Sequence, residues 1–262
     1  MRIFPAEKLV LYNRIEEVFK AVESREVEKG IIPIENMLQG SVRESILGLL
    51  RYKVKILEAY TALIQHCLAG KSKQYNNIIS HPQAIAQCSK FLATKNSVNI
   101  VETSSTSKAM ETAAQNELVA AIGSREAAKH YGLQIIQEEV GDNLDNVTQF
   151  LIISAGENAL ENNTKENKNS DKIPAEPRSS LLLKPKEDRP GLLFLLLAPF
   201  AAQNINLVKI ESLPSGKKMG EYIFYMEING SENEGRVKSA LEFLQKSVDV
   251  YCLGSYEVKD LI

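Results

Sequence analysis

Apolar residues in the first part of the chain switch repeatedly between helical and strand periods. In RIEEVFKAVESRE, Ile15, Val18, Phe19 and Val22 fall on one stripe at helical spacing, and the following GIIPI is an unbroken apolar run of strand length. Ser41 and Glu44 stand three apart ahead of Ile46, Leu49 and Leu50, the spacing of a capping box, and predict a helix opening there. VKILEAYTALIQHCL reads as one long strand. NNIIS reads as a short strand feeding HPQAIAQCSKFL, a single helix with Pro82 in its first turn and Ala84, Ile85, Cys88, Phe91 and Leu92 facing inward. Strand VNIVE, helix STSKAMETAAQ, strand LVAAI, helix SREAAKHY stopped by Gly132, strand LQIIQE and strand TQFLIIS follow. This alternation predicts α/β layers with parallel pairing, and ligands beyond the carboxyl ends of the strands.

From Ala155 to Ser179 the pattern disappears. AGENALENNTKENKNSDKIPAEPRS has almost no large apolar side chain and two prolines, so it buries too little surface to offset its ordering entropy. The expected organisation is a domain at 1–155, a linker at 156–178 and a second domain at 179–262. The second domain reads strand SSLLLK, helix PGLLFLLLAPFAAQ, strand INLVKIES, strand EYIFYMEI, helix EGRVKSALEFLQK, strand VDVYCLGSY, a ferredoxin-like βαββαβ order. Its first helix is apolar on every side and carries Pro199, which predicts a kink. Such a helix needs more cover than one sheet offers, most simply a second copy of the chain, so a homodimer or homotetramer is expected.

Charge narrows the partners. Lys plus Arg number 31 against 33 Asp plus Glu, a net charge of −2, which leaves no footprint for nucleic acid or an anionic membrane. The longest apolar run, Gly191 to Ala202, is short of the roughly 20 residues that span a bilayer. Cys67, Cys88 and Cys252 lie far apart within apolar segments, as free thiols in a reducing compartment do. His66, His81 and His130 lack metal-ligand spacing. The reading is a cytoplasmic protein without metal or cofactor, whose partners are small molecules and other copies of the chain.

Candidate chemistry gathers at strand ends. Glu35 and Asn36 close a buried strand, where they bind a ligand or only form a turn. Ser80 precedes a helix, where it caps the helix or helps hold a carboxylate at the partly positive N-terminus; Gln87 lies off that helix's apolar face. Four hydroxyls in ETSSTSKAM precede another helix, and capping by Ser105 or Thr106 accounts for one. In DNLDNVTQF, Thr148 and Gln149 sit at the mouth of a strand. Hydroxyl and amide donors of this kind suit an anion, while a phosphate loop, nucleophile elbow and acidic dyad are all missing from the sequence.

These same stretches, PIENMLQGSV, SHPQAIAQCSKFL, STSKAME, AAIGSREAAKHYGL and DNVTQF, resemble in order and spacing the motifs of the prephenate dehydratase family. DRPGLLFLLLAPFAAQNINLVKIESLP, GEYIFYMEINGS and LGSY resemble the ACT domain that follows in that family. The resemblance implies a two-lobed catalytic domain similar to periplasmic binding proteins, with its active site between the lobes, and an ACT domain binding L-phenylalanine as effector at a dimer interface. It implies prephenate as substrate and phenylpyruvate as product, with Thr148 catalytic and Asn36, Ser80, Gln87, Thr106, Gln149 and Phe150 holding substrate. For the effector it implies Gly191, Leu192, Asn204, Asn206, Leu207, Glu211 and Ser212. The chain departs from the family in three places: Gln149 stands where Arg is usual, Leu213 stands where ESRP has Arg, and the opening MRIFPAEKLVLYNRIEEVF resembles the region after the family's first helix, about twenty residues short. Three functions fit: a prephenate dehydratase, a catalytically impaired phenylalanine-binding regulator, and an arogenate dehydratase.

Overall fold

The structure is a computed structural model and describes residues 9–12, 14–156, 177–215 and 221–261. Its contacts divide the chain into two compact units, Met1–Ala62 with Thr148–Ile262, and Leu63–Val147. The chain enters the first unit with α1 (Ile15–Glu23), β1 (Lys29–Asn36), the two-residue β2 (Gly40–Ser41), α2 (Arg43–Arg51) and β3 (Val54–Leu63). The second unit follows as β4 (Cys67–Gly70), β5 (Asn77–Ser80), α3 (Pro82–Ala86), α4 (Ser89–Leu92), β6 (Asn99–Glu102), α5 (Thr106–Gln115), β7 (Val119–Gly123), α6 (Arg125–His130) and β8 (Gln134–Gln137). Strand β9 (Val147–Ala155) returns to the first unit, which closes with β10 (Arg178–Pro185), α7 (Leu192–Ala202), β11 (Leu207–Pro214), β12 (Tyr222–Asn229), α8 (Gly235–Gln245), β13 (Val248–Tyr256) and β14 (Val258–Asp260).

The first unit holds a five-stranded sheet, β14-β3-β9-β1-β2, and a four-stranded antiparallel sheet, β11-β12-β10-β13. With α7 and α8 the latter is the expected ferredoxin-like βαββαβ fold. One of its faces packs Leu181, Leu183, Met226 and Ile228 against Leu196, Phe200, Val237 and Leu244 of the two helices. Its other face puts Leu182, Leu213, Tyr225 and Leu253 into one core with Phe19, Ile32, Ile34, Leu151 and Ile153. Strand β10 is therefore covered on both sides, which is why its centre is an uninterrupted Leu181-Leu182-Leu183 run rather than an alternating one.

Backbone contacts tie the two sheets further. Strand β14 pairs in parallel with β3, Val258 opposite Ala59, and Lys55 Nζ donates to the Cys252 carbonyl at 2.7 Å. At Gly254, φ is +152°, and a Cβ there would collide with the Ile56 carbonyl oxygen. Only glycine lets β13 approach β3 this closely.

In the second unit the order is β6-β5-β7-β4-β8, with β7 buried along its whole length. One core gathers Ala109, Met110, Ala113, Ala121 and Ala128; another gathers Ile78, Ala84, Cys88, Ala120 and Ile122.

Several expectations are corrected. Parallel pairing holds in the second unit only for β5 with β6 and β7; β4 and β8 add antiparallel, and β1 meets β9 antiparallel because β9 returns from the intervening unit rather than through a crossover helix. The apolar run 54–68 is two strands in two sheets, since the chain leaves one unit for the other within it. The helix expected over 81–92 breaks at Cys88 (φ −120°, ψ 25°), and Asp142 starts the second piece by accepting from the backbone of Ser89 and Lys90, each at 3.0 Å. Ser41 belongs to β2 and does not cap α2, whose first position follows Val42. Most of the expected linker, residues 157–176, lies outside the described residues.

Candidate functional site

Asn36 ends β1 and Thr148 lies opposite it near the start of β9. Both are 7% exposed. The Asn36 side-chain Oδ1 accepts from the backbone N–H of Leu38 (3.1 Å) and Gln39 (3.2 Å) in the turn after β1, which fixes the amide so that Nδ2 must donate. It donates to Thr148 Oγ1 at 2.8 Å. A hydroxyl that accepts a hydrogen bond becomes a better donor, so this arrangement aims and strengthens the Thr148 O–H. The two readings of Asn36, turn and ligand group, are thus joined, because the turn is what orients the amide.

Successive side chains of β9 alternate. Leu151 and Ile153 point into the core shared with the four-stranded sheet, and Gln149 is on their side, while Thr148 and Phe150 are on the other. Gln149 Oε1 accepts from Arg178 Nη1 at 3.3 Å, and its Nε2 is buried without a partner. Glu35, opposite Gln149, forms an ion pair with Lys209 at 3.0 Å. Arg178 is also 3.3 Å from Glu227, whose side chain is 2% exposed and accepts from the Tyr225 hydroxyl at 2.8 Å. Burial, reinforced by Glu227, holds the Tyr225 phenol well above its ordinary range and keeps it a donor. Arg178, Lys209 and Glu227 are not among the candidates that the motifs supply; the one signal in the sequence is Glu227 itself, a carboxylate inside the apolar strand YIFYMEI.

The second unit carries Ser80 and Thr106 at the carboxyl ends of parallel strands and Gln87 at the end of α3. Ser80 is fully buried and spends its proton on the Ile122 carbonyl at 2.7 Å. It does not cap α3; His81 does, its Nδ1 accepting from the Gln83 N–H at 3.2 Å. Thr106 is the first residue of α5, capped by Ser105, and its Cβ lies 3.6 Å from where a side chain on Gly123 would begin, which places it at the end of β7. Gln87 ends α3 with Oε1 2.9 Å from His66 Nε2. Beside that contact, His66 Nδ1 and Gln87 Nε2 are both buried without a hydrogen-bond partner.

The expected effector residues fall into two groups within one chain. Gly191, at φ +80°, precedes α7, and Leu192 begins it. Asn204, Asn206 and Leu207 lie beyond its far end, about 20 Å away at 1.5 Å per helical residue. Strand β11 runs back toward the Gly191 end, but by alternation Glu211 shares the inward face with Leu213 and Lys209, and Ser212 faces the other way. Leu213, 1% exposed, fills the shared core. Leu193 and Phe194 on α7, 48% and 73% exposed, and Val208 and Ile210 on the edge strand β11 present apolar surface.

Among the described residues no group of His, Cys, Asp and Glu could hold a metal, and no helix is long and apolar enough to cross a membrane. Burial pushes the Cys67 thiol up to about 11 and Cys88 to about 12, so neither supplies a thiolate near neutral pH.

Residues 1–158 match the family model for prephenate dehydratase and residues 187–245 that for the ACT domain. The prephenate dehydratase of Methanocaldococcus jannaschii is 35% identical over 261 residues, covering 97% of this chain and 89% of that one. Arogenate dehydratase/prephenate dehydratase 2 of Arabidopsis thaliana is 32% identical over 277 residues, covering 98% and 68%. The solved structure of prephenate dehydratase from Arthrobacter aurescens in complex with L-Phe aligns with a TM-score of 0.79 at 26% identity, over 93% of this chain and 79% of that one.

Proposed function

The chain belongs to the prephenate dehydratase family, and on that premise we propose that it converts prephenate to phenylpyruvate, with Thr148 as the hydrogen-bond donor to the departing hydroxyl. The carrying observation is the Asn36–Thr148 pair at 2.8 Å, in which the amide can only donate and the hydroxyl proton is left for substrate. In the reaction the ring carbon–oxygen bond breaks and the ring carboxylate leaves as carbon dioxide. The electron pair of its carbon–carbon bond completes the aromatic ring. Aromatisation supplies the driving force, so the hydroxide needs a donor to leave as water but no group with a strongly shifted pKa. Ser80, Gln87 and Thr106 are read as the groups that hold substrate, Gln87 Nε2 being a buried donor in want of an acceptor. Phe150 shares the Thr148 side of β9 and belongs with them. Gln149 faces the other way, and its role in this reading is to support the strand rather than to touch substrate.

Substrate choice is tested by offering the purified chain prephenate and arogenate separately. We expect kcat/KM for prephenate to exceed that for arogenate at least tenfold. The reverse ratio would make the chain an arogenate dehydratase, in line with the name of its Arabidopsis relative.

For regulation, L-phenylalanine is read as the effector and a second copy of the chain as its partner. The exposed Leu193 and Phe194 provide the surface for a two-fold contact. Such a contact would also unite the Gly191 end of one copy with the Asn204–Leu207 turn of the other, which a single chain keeps apart. Titration calorimetry with phenylalanine should show saturable heat and a Tm rising with ligand, by about 2.7 kcal/mol of stabilisation at a hundredfold excess over Kd. Gly191→Val, which puts a β-branched side chain at φ +80°, should lose it. No heat from the parent at millimolar ligand, or equal binding by the variant, would leave the C-terminal domain without this site.

A further inference from the structure

The ladder joining β1 to β9 is interrupted by a bulge between Pro33 and Glu35, and beyond it only two rungs remain: Glu35 opposite Gln149, then Asn36 opposite Thr148. On its other side the end of β1 meets only β2, across the turn that follows it. The position of the Asn36–Thr148 rung therefore depends on the rung beneath it. Both ends of that lower rung are held by the four-stranded sheet. Lys209 of β11 takes Glu35 at 3.0 Å, and Arg178 at the start of β10 takes Gln149 at 3.3 Å. The two cations are themselves linked, since Glu227 pairs with Arg178 and stands opposite Lys209 in the β11–β12 ladder.

Lys209 is the informative member. Its side chain is 8% exposed, and Nζ meets the Glu35 carboxylate as an ion pair at 3.0 Å without a formed hydrogen bond. An ammonium buried against one partly exposed carboxylate contributes little stability, and an apolar side chain of equal length would fill the space at lower cost. A packing role leaves the charge unexplained, whereas fixing Glu35 requires it.

We infer that Lys209 and Arg178, both carried by the four-stranded sheet, are positioning residues for the reaction at Thr148: they clamp the Glu35–Gln149 rung and thereby set the place of the Asn36–Thr148 pair. The inference rests on the reading of Thr148 given above. It also makes the four-stranded sheet part of the catalytic apparatus, with Lys209 two residues from Glu211 on the same strand face.

The test uses the full chain with Lys209→Met, which keeps the length and removes the charge. Tm should equal or exceed that of the parent, while kcat with prephenate falls about tenfold and KM stays within about twofold, because displacement of a reacting group by about 1 Å costs up to about a hundredfold. Lys209→Arg should restore most of the rate. Glu35→Gln should reproduce the loss, and the double variant should lose no more than either single one. An unchanged kcat in Lys209→Met, or losses that simply add, overturns the inference. The amide resonance of Thr148 and the side-chain amide of Gln149, followed by nitrogen-15 NMR, give a readout without turnover. Both should shift in Lys209→Met, and unshifted resonances overturn the clamp. Shifted resonances in a parent that does not turn prephenate over, or whose Thr148→Val variant keeps full activity, uphold the clamp and overturn the proposed function instead.

Discussion

Replacing Thr148 by valine is expected to lower kcat for phenylpyruvate formation by about 10²–10⁴-fold, the range for removing a positioned proton donor. Valine keeps the shape of threonine and removes one oxygen, so the substrate should still bind and KM should change little. The substitution also removes the hydrogen bond from Asn36 Nδ2 to Thr148 Oγ1 at a 7% exposed position, at a cost of about 0.5–1.5 kcal/mol. A modest fall in Tm should therefore accompany the loss of rate. Thr148→Ser separates the two effects: it retains the hydroxyl and should keep turnover within about tenfold of the parent while losing a buried methyl group. Wild-type rates in the valine variant would make Thr148 a structural residue.

The second large effect is expected at Gly254, far from Thr148 in sequence and without chemistry of its own. Its φ of +152° is reserved for glycine, and a Cβ would strike the Ile56 backbone, which cannot swing aside as a flexible side chain could. Gly254→Val should cost about 3–5 kcal/mol, or roughly 10 °C in Tm for a unit of this size. Gly235→Ala is the control: the Cβ meets nothing within 4 Å in the first turn of α8, and a small stabilisation is expected. A Gly254 variant as stable as the parent would mean that β13 and β3 do not meet as described. If instead it unfolds in two transitions, the four-stranded sheet comes away from the α1–β1–α2 core before that core melts.

What the sequence disclosed and what it concealed follow from the range of the interactions involved. The βαββαβ order was legible because each element declares itself by local periodicity, as in EGRVKSALEFLQK for α8. The cap at Ser105, one of the two hydroxyls offered for it, was equally local. The split of the run 54–68 into β3 and β4 was concealed because one apolar strand reads like another whichever sheet it joins. The break at Cys88 was concealed because the Asp142 carboxylate, which holds the start of the second piece, lies 53 positions beyond Ser89.

The same holds at the site. Thr148 and Asn36 were each visible as polar residues at the end of an apolar strand, but that one orients the other needed the register. Gln149 reads in sequence as a missing charge beside substrate; the strand alternation turns it toward Arg178 and Glu227, so an arginine in its place would face that buried cluster. Leu213 likewise reads as a lost ligand group and proves to be core. Lys209, the residue with the most to say about how the two sheets cooperate, carried no signal at all in a sequence where one lysine among many marks nothing.

The central claim is that this chain performs the dehydration and decarboxylation of prephenate itself. It is tested most directly by incubating the purified chain with prephenate near neutral pH, where spontaneous aromatisation is slow, and quantifying both products over time. The account predicts phenylpyruvate and carbon dioxide in equal amounts, at a rate proportional to the parent protein and reduced at least a hundredfold with an equal amount of Thr148→Val. Product formation no faster than in buffer, or equally fast with the valine variant, would contradict it.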